Sequence, residues 1–197
     1  MRFSMRRSLA TSRRTRDDVR IPASCMSCPF GTAALIKGDG AAPASVMVVG
    51  AYPGVQEEKE AKSFAGSLGG LVRGVLAGIA GEDVYFTLLV KRRPEKAPSP
   101  WAIGGCAAHI AEEVRAISPK VIVTLGSIAT SYFIGRQIRM SDVRGLPIQS
   151  SRFHRNFIVL PAYDIGHVMR RGGLNSPVGH DWIDDLEEIH GILAKVN

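Results

Sequence analysis

An apolar stretch that ends in a glycine-rich turn is the part of this sequence best suited to hold a ligand. Residues 46–50 read Val-Met-Val-Val-Gly and predict a buried strand, and an Ala-Tyr-Pro-Gly turn follows at residues 51–54. At the carboxyl end of such a strand, Gly50 and Gly54 expose backbone N–H groups and Tyr52 presents a ring. Open α/β folds bind ligands at this edge of the sheet, so we expect a binding site there.

Further short motifs follow in a fixed order, and their order is more specific than any one of them. They are Ser63-Phe64-Ala65-Gly66, Tyr85 to Pro94, Pro119 to Gly126, Arg144-Gly145 and Leu160 to Tyr163, with Cys25-Met-Ser-Cys28 near the start. This series resembles the uracil-DNA glycosylase superfamily, and most closely its iron–sulfur-containing family 4. The resemblance covers roughly residues 25 to 195 and implies a DNA-binding protein of the base excision repair type.

Three positions depart from the pattern of that family. Its first motif has a Glu where this chain has Ala51, and its Asn that contacts uracil corresponds to Leu88. Its His that stabilises the charge building on uracil corresponds to Leu160. A missing donor or proton-transfer group typically costs about 10²- to 10⁴-fold in rate. We therefore expect ordinary uracil excision to be weak or absent.

The resemblance also places a base pocket and a DNA-facing rim on this sequence. Phe64 matches the family phenylalanine that stacks on the flipped base, although a plain core aromatic is the alternative. Among basic residues, Arg93 and Arg144 match positions on the nucleic-acid side of the family, where arginines contact phosphates. The expected pocket and DNA-binding set is Gly50, Ala51, Tyr52, Pro53, Gly54, Phe64, Leu88, Arg93, Arg144, Leu160, Pro161 and Ala162.

Other basic and acidic residues lie near these motifs. The rim is expected to include Lys91, Arg92, Lys96, Arg152 and Arg155 as well, unless these side chains are simply solvated. The catalytic group is unknown. Asp164, two positions after Ala162, is the candidate for a substitute, and a solvent-facing loop carboxylate is the alternative interpretation.

Three cysteines raise the question of a metal. Cys25, Cys28 and Cys106 match three of the four cluster ligands of family 4, but Arg92 stands where the remaining cysteine belongs. A [4Fe–4S] cluster normally has four thiolate ligands. Cys106 and His109 lie one helical turn apart, so the two pairs also suit tetrahedral zinc. A retained or altered cluster, a zinc ion, and buried thiols without metal remain open.

Predicted strands and helices alternate four times along the chain. Strands are predicted at 46–50, 83–90, 121–125 and 156–160, and helices at 68–79, 103–117, 127–133 and 181–196. This alternation predicts a single three-layer α/β/α domain with a four-stranded, mainly parallel sheet, as in uracil-DNA glycosylases.

The length, charge and cysteine content of the chain indicate its domain organisation and its partner. With 197 residues, we expect one domain over 21–197, preceded by a flexible basic arm over 1–20 that holds seven arginines and much of the net charge of +7. No apolar run reaches the roughly 20 residues of a membrane helix. The odd cysteine count does not indicate a disulfide framework. We therefore expect a cytoplasmic protein of a bacterium or virus whose partner is DNA, with single-stranded DNA left open.

Three functional hypotheses follow. The first is a glycosylase with an unusual catalytic group, acting on a modified base by hydrolysing the N-glycosidic bond. The second is an enzyme that modifies DNA bases on the same fold. The third is a DNA-binding or structural protein that has lost catalysis. Fold likeness alone does not rank them, because function resides in the site.

Overall fold

The central feature of the fold is one six-stranded sheet. The structure, a computed structural model, describes Phe30 and residues 35–196. The strands are β1 (Asp39–Gly40), β2 (Val46–Gly50), β3 (Val84–Leu88), β4 (Val121–Leu125), β5 (Ile148–Ser150) and β6 (Phe157–Ala162). Their order in the sheet is β1-β3-β2-β4-β6-β5, in which the inner four strands are parallel and the two outer strands are antiparallel to their neighbours.

The predicted α/β architecture is confirmed, but the predicted strand number of four is wrong. The four predicted strands correspond to β2, β3, β4 and β6, which form the parallel centre. The outer strands β1 and β5 contain only two and three residues. Segments this short carry no recognisable periodicity, so only their pairing with a neighbour identifies them.

Eight α-helices are described, and a 3-10 turn at Arg152–His154 joins β5 to β6. The helices are α1 (Val55–Glu60), α2 (Gly66–Ala80), α3 (Pro100–Gly105), α4 (Ala107–Ile117), α5 (Ser127–Ile134), α6 (Met140–Val143), α7 (Ile165–Arg170) and α8 (Pro177–Val196). The helix expected over 103–117 is two helices that meet at Cys106, directly after Gly104 and Gly105, which favour helix interruption. Within residues 35–196, no helix has both the length and the apolar character needed to cross a membrane.

The core forms a layer on each face of the sheet. Along β2, Val46 and Val48 belong to a cluster with residues of α2, α7 and α8, whereas Met47 and Val49 belong to a cluster with residues of α3, α4 and α5. Strands β2, β3 and β4 are buried along their whole length, which explains why their sequences are almost entirely apolar. Because these strands are parallel, their carboxyl ends meet at one edge, which we call the carboxyl edge.

Two expectations concern parts of the chain that the structure does not describe. The basic arm over 1–20 lies outside the described residues, as do the cluster candidates Cys25 and Cys28.

Candidate functional site

The turn after β2 is tied to the chain that leaves β3. Leu89 N donates to the Gly50 carbonyl oxygen at 2.8 Å, and Val90 N donates to the Ala51 carbonyl oxygen at 3.0 Å. Within the turn, Pro53 is buried and Tyr52 is exposed. The expected turn residues therefore lie together at the carboxyl edge, with the Tyr52 ring facing solvent.

Phe64 packs directly over the end of β2. A Cβ on Gly50 would lie 2.9 Å from Leu88 Cδ2 and 3.1 Å from Phe64 Cζ, so the absence of a side chain at Gly50 permits this approach. The Phe64 ring also meets Phe86 edge to face, with 5.7 Å between the ring centroids. The backbone of Phe64 is left-handed, with φ +53°, a conformation that costs an ordinary residue about 1–2 kcal/mol.

An arginine from α2 supports this unusual turn. Arg73 Nε donates to the Phe64 carbonyl oxygen at 3.2 Å, and Arg73 Nη2 donates to the Ser63 carbonyl oxygen at 2.6 Å. The same Nη2 lies 3.1 Å from Asp39 Oδ2 of β1, and the guanidinium sits 4.3 Å above the Phe86 ring. A single side chain thus links the edge strand β1, the Phe64 turn and helix α2.

The three positions that depart from the family pattern present apolar groups. Leu88 and Leu160 are almost fully buried and belong to the same core cluster as Phe64 and Ala162. Ala51 presents only a methyl group. The Leu88 and Leu160 side chains therefore supply packing to this cluster and no hydrogen-bond donor or acceptor.

Arg144 is held by carboxylates of α8. Its Nη1 donates to Asp185 Oδ1, and its Nη2 lies 2.8 Å from Asp181 Oδ1. Gly145 N donates to the Pro161 carbonyl oxygen at 2.8 Å, which fixes this segment at the carboxyl edge. A Cβ on Gly145, whose φ is +68°, would collide with Asp185 Oδ1, so this backbone conformation and this packing favour glycine.

Burial dominates the titration of Asp185. Removal from water raises the pKa of Asp185 to about 6, although the Arg144 guanidinium acts in the opposite direction. The carboxylates of Asp181 and Asp184 raise it further. Asp185 Oδ2 is buried and has no hydrogen-bond partner among the described residues.

Two basic residues that follow β3 differ in exposure: Arg93 is exposed and Lys91 is buried. Arg93 Nη1 lies 3.0 Å from Glu58 Oε2 of α1, and the arginine side chain stays substantially exposed. Lys91 is only 1% exposed, so the expectation that it faces DNA is wrong. Its Nζ donates to Glu113 Oε1 at 2.8 Å and also to Thr87 Oγ1, which in turn donates to Glu113 Oε2. The burial cost of the Lys91 charge is offset by this paired carboxylate.

The remaining charged candidates have structural contacts. Asp164 begins α7, where its Oδ1 accepts a hydrogen bond from Gly166 N at 2.9 Å, and its side chain is otherwise exposed. Arg152 and Arg155 precede β6, so they lie at the amino edge of the sheet, opposite the candidate site. The Arg152 guanidinium there sits 4.3 Å above the Tyr132 ring. The expectation that these two arginines line the rim is therefore wrong.

Cys106 and His109 are both buried where α3 meets α4. Burial lowers the pKa of His109, and the positive charges of Lys91 and Arg92 lower it further. Within the described part of the chain, no group of three or more His, Cys, Asp or Glu side chains is arranged to hold a metal ion. Only one of the three candidate thiols, that of Cys106, lies in this part.

Two residues of this edge were not identified from the sequence. Arg73 occurs inside an amphipathic helix, and nothing in the local pattern signals that its partners are Asp39 and Phe64. Trp101 is 76% exposed at the start of α3. An aromatic residue within a basic, proline-rich loop is a signal that identifies Trp101 in retrospect.

Comparison with known proteins agrees with this fold. A family model for the uracil DNA glycosylase superfamily matches residues 37–180. The type-4 uracil-DNA glycosylase of Thermotoga maritima is 34% identical over 178 residues, covering 87% of this chain and 90% of the relative. Those of Saccharolobus solfataricus and Archaeoglobus fulgidus are 31% and 29% identical, covering 91% of this chain and 85% and 93% of the relatives. The chain therefore belongs to the uracil-DNA glycosylase superfamily.

Proposed function

We propose that this protein binds DNA at the carboxyl edge of its sheet and releases uracil weakly or not at all. DNA binding follows from membership of a superfamily whose relatives are named for their action on uracil in DNA. Weak release follows from Ala51, Leu88 and Leu160, which stand where the family pattern has Glu, Asn and His.

The observation that carries this proposal is the packing around Phe64. The Phe64 ring and the Leu88 side chain both lie against Gly50, and both belong to the same core cluster as Leu160. Release of a base requires groups that stabilise charge on the leaving base or position water. Methyl and isobutyl groups at these positions do neither. A base that reaches the Phe64 ring would be held by stacking and shape without the polar contacts that favour bond cleavage.

Asp164 offers little replacement for the missing groups. Its carboxylate is exposed and caps the backbone of α7. One of its oxygens, Oδ1, is already engaged by the Gly166 backbone N–H at 2.9 Å. The structure thus supports a DNA-binding protein more than a glycosylase with a substitute catalytic group.

Abasic-site formation tests the catalytic half of the proposal. Single-stranded and duplex oligonucleotides containing uracil are incubated with the protein and then treated with alkali, with the Thermotoga maritima relative as positive control. We expect little strand cleavage above the buffer control. Rapid release of free uracil would overturn the proposal. Cleavage confined to hydroxymethyluracil or hypoxanthine would replace it with a glycosylase for a modified base.

Salt-dependent binding tests the DNA-binding half. The affinity for a labelled oligonucleotide is measured by fluorescence anisotropy over a range of salt concentrations. We expect log Kd to rise linearly with log salt, by about 0.7–0.9 per phosphate contact. Absence of binding at low salt would exclude this function.

The residues present do not fit a cluster held by four thiolates. Arg92 stands at one ligand position, and a guanidinium does not replace a thiolate. Its Nε is buried, and no described residue accepts a hydrogen bond from it. The alternatives are a zinc ion bound by Cys25, Cys28, Cys106 and His109, and cysteine thiols that bind no metal.

Metal analysis distinguishes an iron–sulfur cluster from bound zinc and from a protein without metal. Iron, zinc and acid-labile sulfide are measured on protein purified without oxygen, beside an Arg92→Cys variant. We expect little or no iron in the wild type, and we expect the variant to gain iron and the visible absorbance of a cluster after reconstitution. About four iron atoms per wild-type chain would contradict this prediction.

A further inference from the structure

A cleft beside the candidate site is formed by the loop between β3 and α3. Its volume is about 520 Å³, and it is lined by residues 93–99 together with Phe30, Trp101 and Ala102. The loop follows the carboxyl end of β3, next to the turn that follows β2. The cleft therefore lies on the same edge of the sheet as Tyr52 and Phe64.

Trp101 is not required for packing. It is 76% exposed, whereas its neighbours Ala102 and Ile103 are buried and attach α3 to the core. The second tryptophan, Trp182, is 0% exposed and donates its indole N–H to the Tyr163 carbonyl oxygen at 2.9 Å. An indole left in water offers a flat apolar face on which another ring can stack, and its N–H stays free to meet water.

Cationic side chains accompany this ring. Arg93 and Lys96 line the same cleft, together with one acidic residue, Glu95. Arg93 is also bridged to Glu58 of α1, the helix that starts directly after the turn at residues 51–54. This ion pair links the cleft to the helix that follows the candidate turn, and the cleft itself pairs an exposed aromatic ring with positive charge.

We propose that Trp101 stacks on an unpaired base of single-stranded DNA while Arg93 and Lys96 contact the adjoining phosphates. This inference rests on the proposed DNA binding and adds the form of the DNA. Bases inside a duplex are stacked on each other and offer no free face to an indole, whereas single strands offer every face. Aromatic platforms flanked by basic residues hold single strands in this way, largely without regard to sequence.

Tryptophan fluorescence gives a direct readout, because Trp101 is exposed and Trp182 is buried. A base stacked on Trp101 quenches its emission without affecting Trp182. We expect an unlabelled single strand to quench the exposed component of the emission and a duplex of the same sequence to leave it unchanged. A Trp101→Phe variant retains a ring for stacking, and Trp101→Ala removes it.

Affinities measured by anisotropy complete the test. Trp101→Ala is expected to raise the Kd for the single strand by about fivefold to a hundredfold, with Trp101→Phe close to wild type. Lys96→Gln should lower the salt slope by about 0.7. The control Val196→Ala, which removes exposed apolar surface at the far end of α8, should change neither value. Because Trp101 is exposed, Trp101→Ala should keep the buried emission of Trp182, which checks folding.

The outcomes separate this inference from the proposed function. If Trp101→Ala binds the single strand as wild type does, the stacking site is wrong while DNA binding stands. If the wild type binds neither form of DNA, both proposals fail. If sedimentation shows a dimer that Trp101→Ala abolishes and DNA does not quench Trp101, the cleft holds a second copy of this chain and the inference is overturned.

Discussion

The guanidinium of Arg73 holds Phe64 in a left-handed backbone conformation. Arg73 Nε donates to the Phe64 carbonyl oxygen at 3.2 Å, and the Phe64 φ is +53°. Gly69 makes the same turn possible, since a Cβ there would collide with the Phe64 backbone. The ring that the family resemblance assigns to base stacking is thus set by a contact from a neighbouring helix.

Replacing Arg73 by lysine should destabilise the protein by about 1–3 kcal/mol. Lysine keeps the positive charge near Asp39 but lacks the planar fork that serves the Ser63 and Phe64 carbonyls together. Urea unfolding monitored by circular dichroism measures the change, with Arg136→Lys at an exposed position as control. Equal unfolding midpoints for the two variants would show that the turn does not depend on Arg73.

The buried pair of Lys91 and Glu113 gives a prediction about stability. Lys91→Met leaves the Glu113 carboxylate buried without its cation, so we expect a loss of about 3–5 kcal/mol. The double variant Lys91→Met/Glu113→Leu removes both charges and should recover much of that loss. The free energy of unfolding in urea is measured for the wild type, the two single variants and the double variant, which together form a double-mutant cycle.

The exposed pair of Arg93 and Glu58 is the matched control for this cycle. Its charges remain in contact with water, so Arg93→Met should cost no more than about 1 kcal/mol. If Lys91→Met proves as mild as Arg93→Met, the buried pair has no special role in the stability of the fold.

The parallel centre of the fold was predictable from sequence, and its edges were not. Strands buried on both faces are uninterrupted apolar runs, as in Val121–Leu125, and such runs are recognisable locally. The antiparallel strands Asp39–Gly40 and Ile148–Ser150 are defined by pairing with distant residues. A short strand without a neighbour has no pattern of its own.

The environment of charged residues at the site also depends on partners that are distant in the sequence. The sequence position of Lys91, in a basic loop, favoured solvent, but its partner Glu113 comes from a helix 22 residues later. Only the packing of α4 on β3 brings the two together. By contrast, the apolar character of Leu88 and Leu160 was evident from the sequence, because a departure from a known motif requires no knowledge of the fold.

Stability should fall as the pH rises through the pKa of Asp185. That pKa is about 6 in the folded protein and 3.8 as the ordinary value, so the folded state binds more protons between these limits. The contribution of Asp185 is full below about pH 4 and is lost as pH rises past about 6. The shift corresponds to about 3 kcal/mol as an upper figure. Urea unfolding at intervals between pH 4 and 8 measures it.

Two variants isolate the source of this pH dependence. Asp185→Asn does not titrate, so its stability should vary less over the same range. Asp181→Asn removes the more exposed partner of Arg144 and one of the charges that raise the pKa of Asp185, so stability should still fall with rising pH, but over a lower pH range. A wild-type slope in Asp185→Asn would assign the titration to another group.

Restoring the polar groups of the family pattern should restore uracil release. The variant Ala51→Glu/Leu88→Asn/Leu160→His places a carboxylate, an amide and an imidazole at the three positions where the family pattern has them. Each group typically contributes about 10²- to 10⁴-fold, so we expect uracil release at least about 10²-fold above wild type. The alkali-cleavage assay on uracil-containing single strands measures it.

The activity of the triple variant is informative only if the variant is folded. Leu88 and Leu160 are buried, so asparagine and histidine there should each cost about 1–3 kcal/mol, and the assay is run where circular dichroism shows the variant folded. Leu88→Ala/Leu160→Ala opens the same space without adding polar groups and should stay at the wild-type rate. If the folded triple variant is no more active than this control, the apolar substitutions are not the reason for weak uracil release.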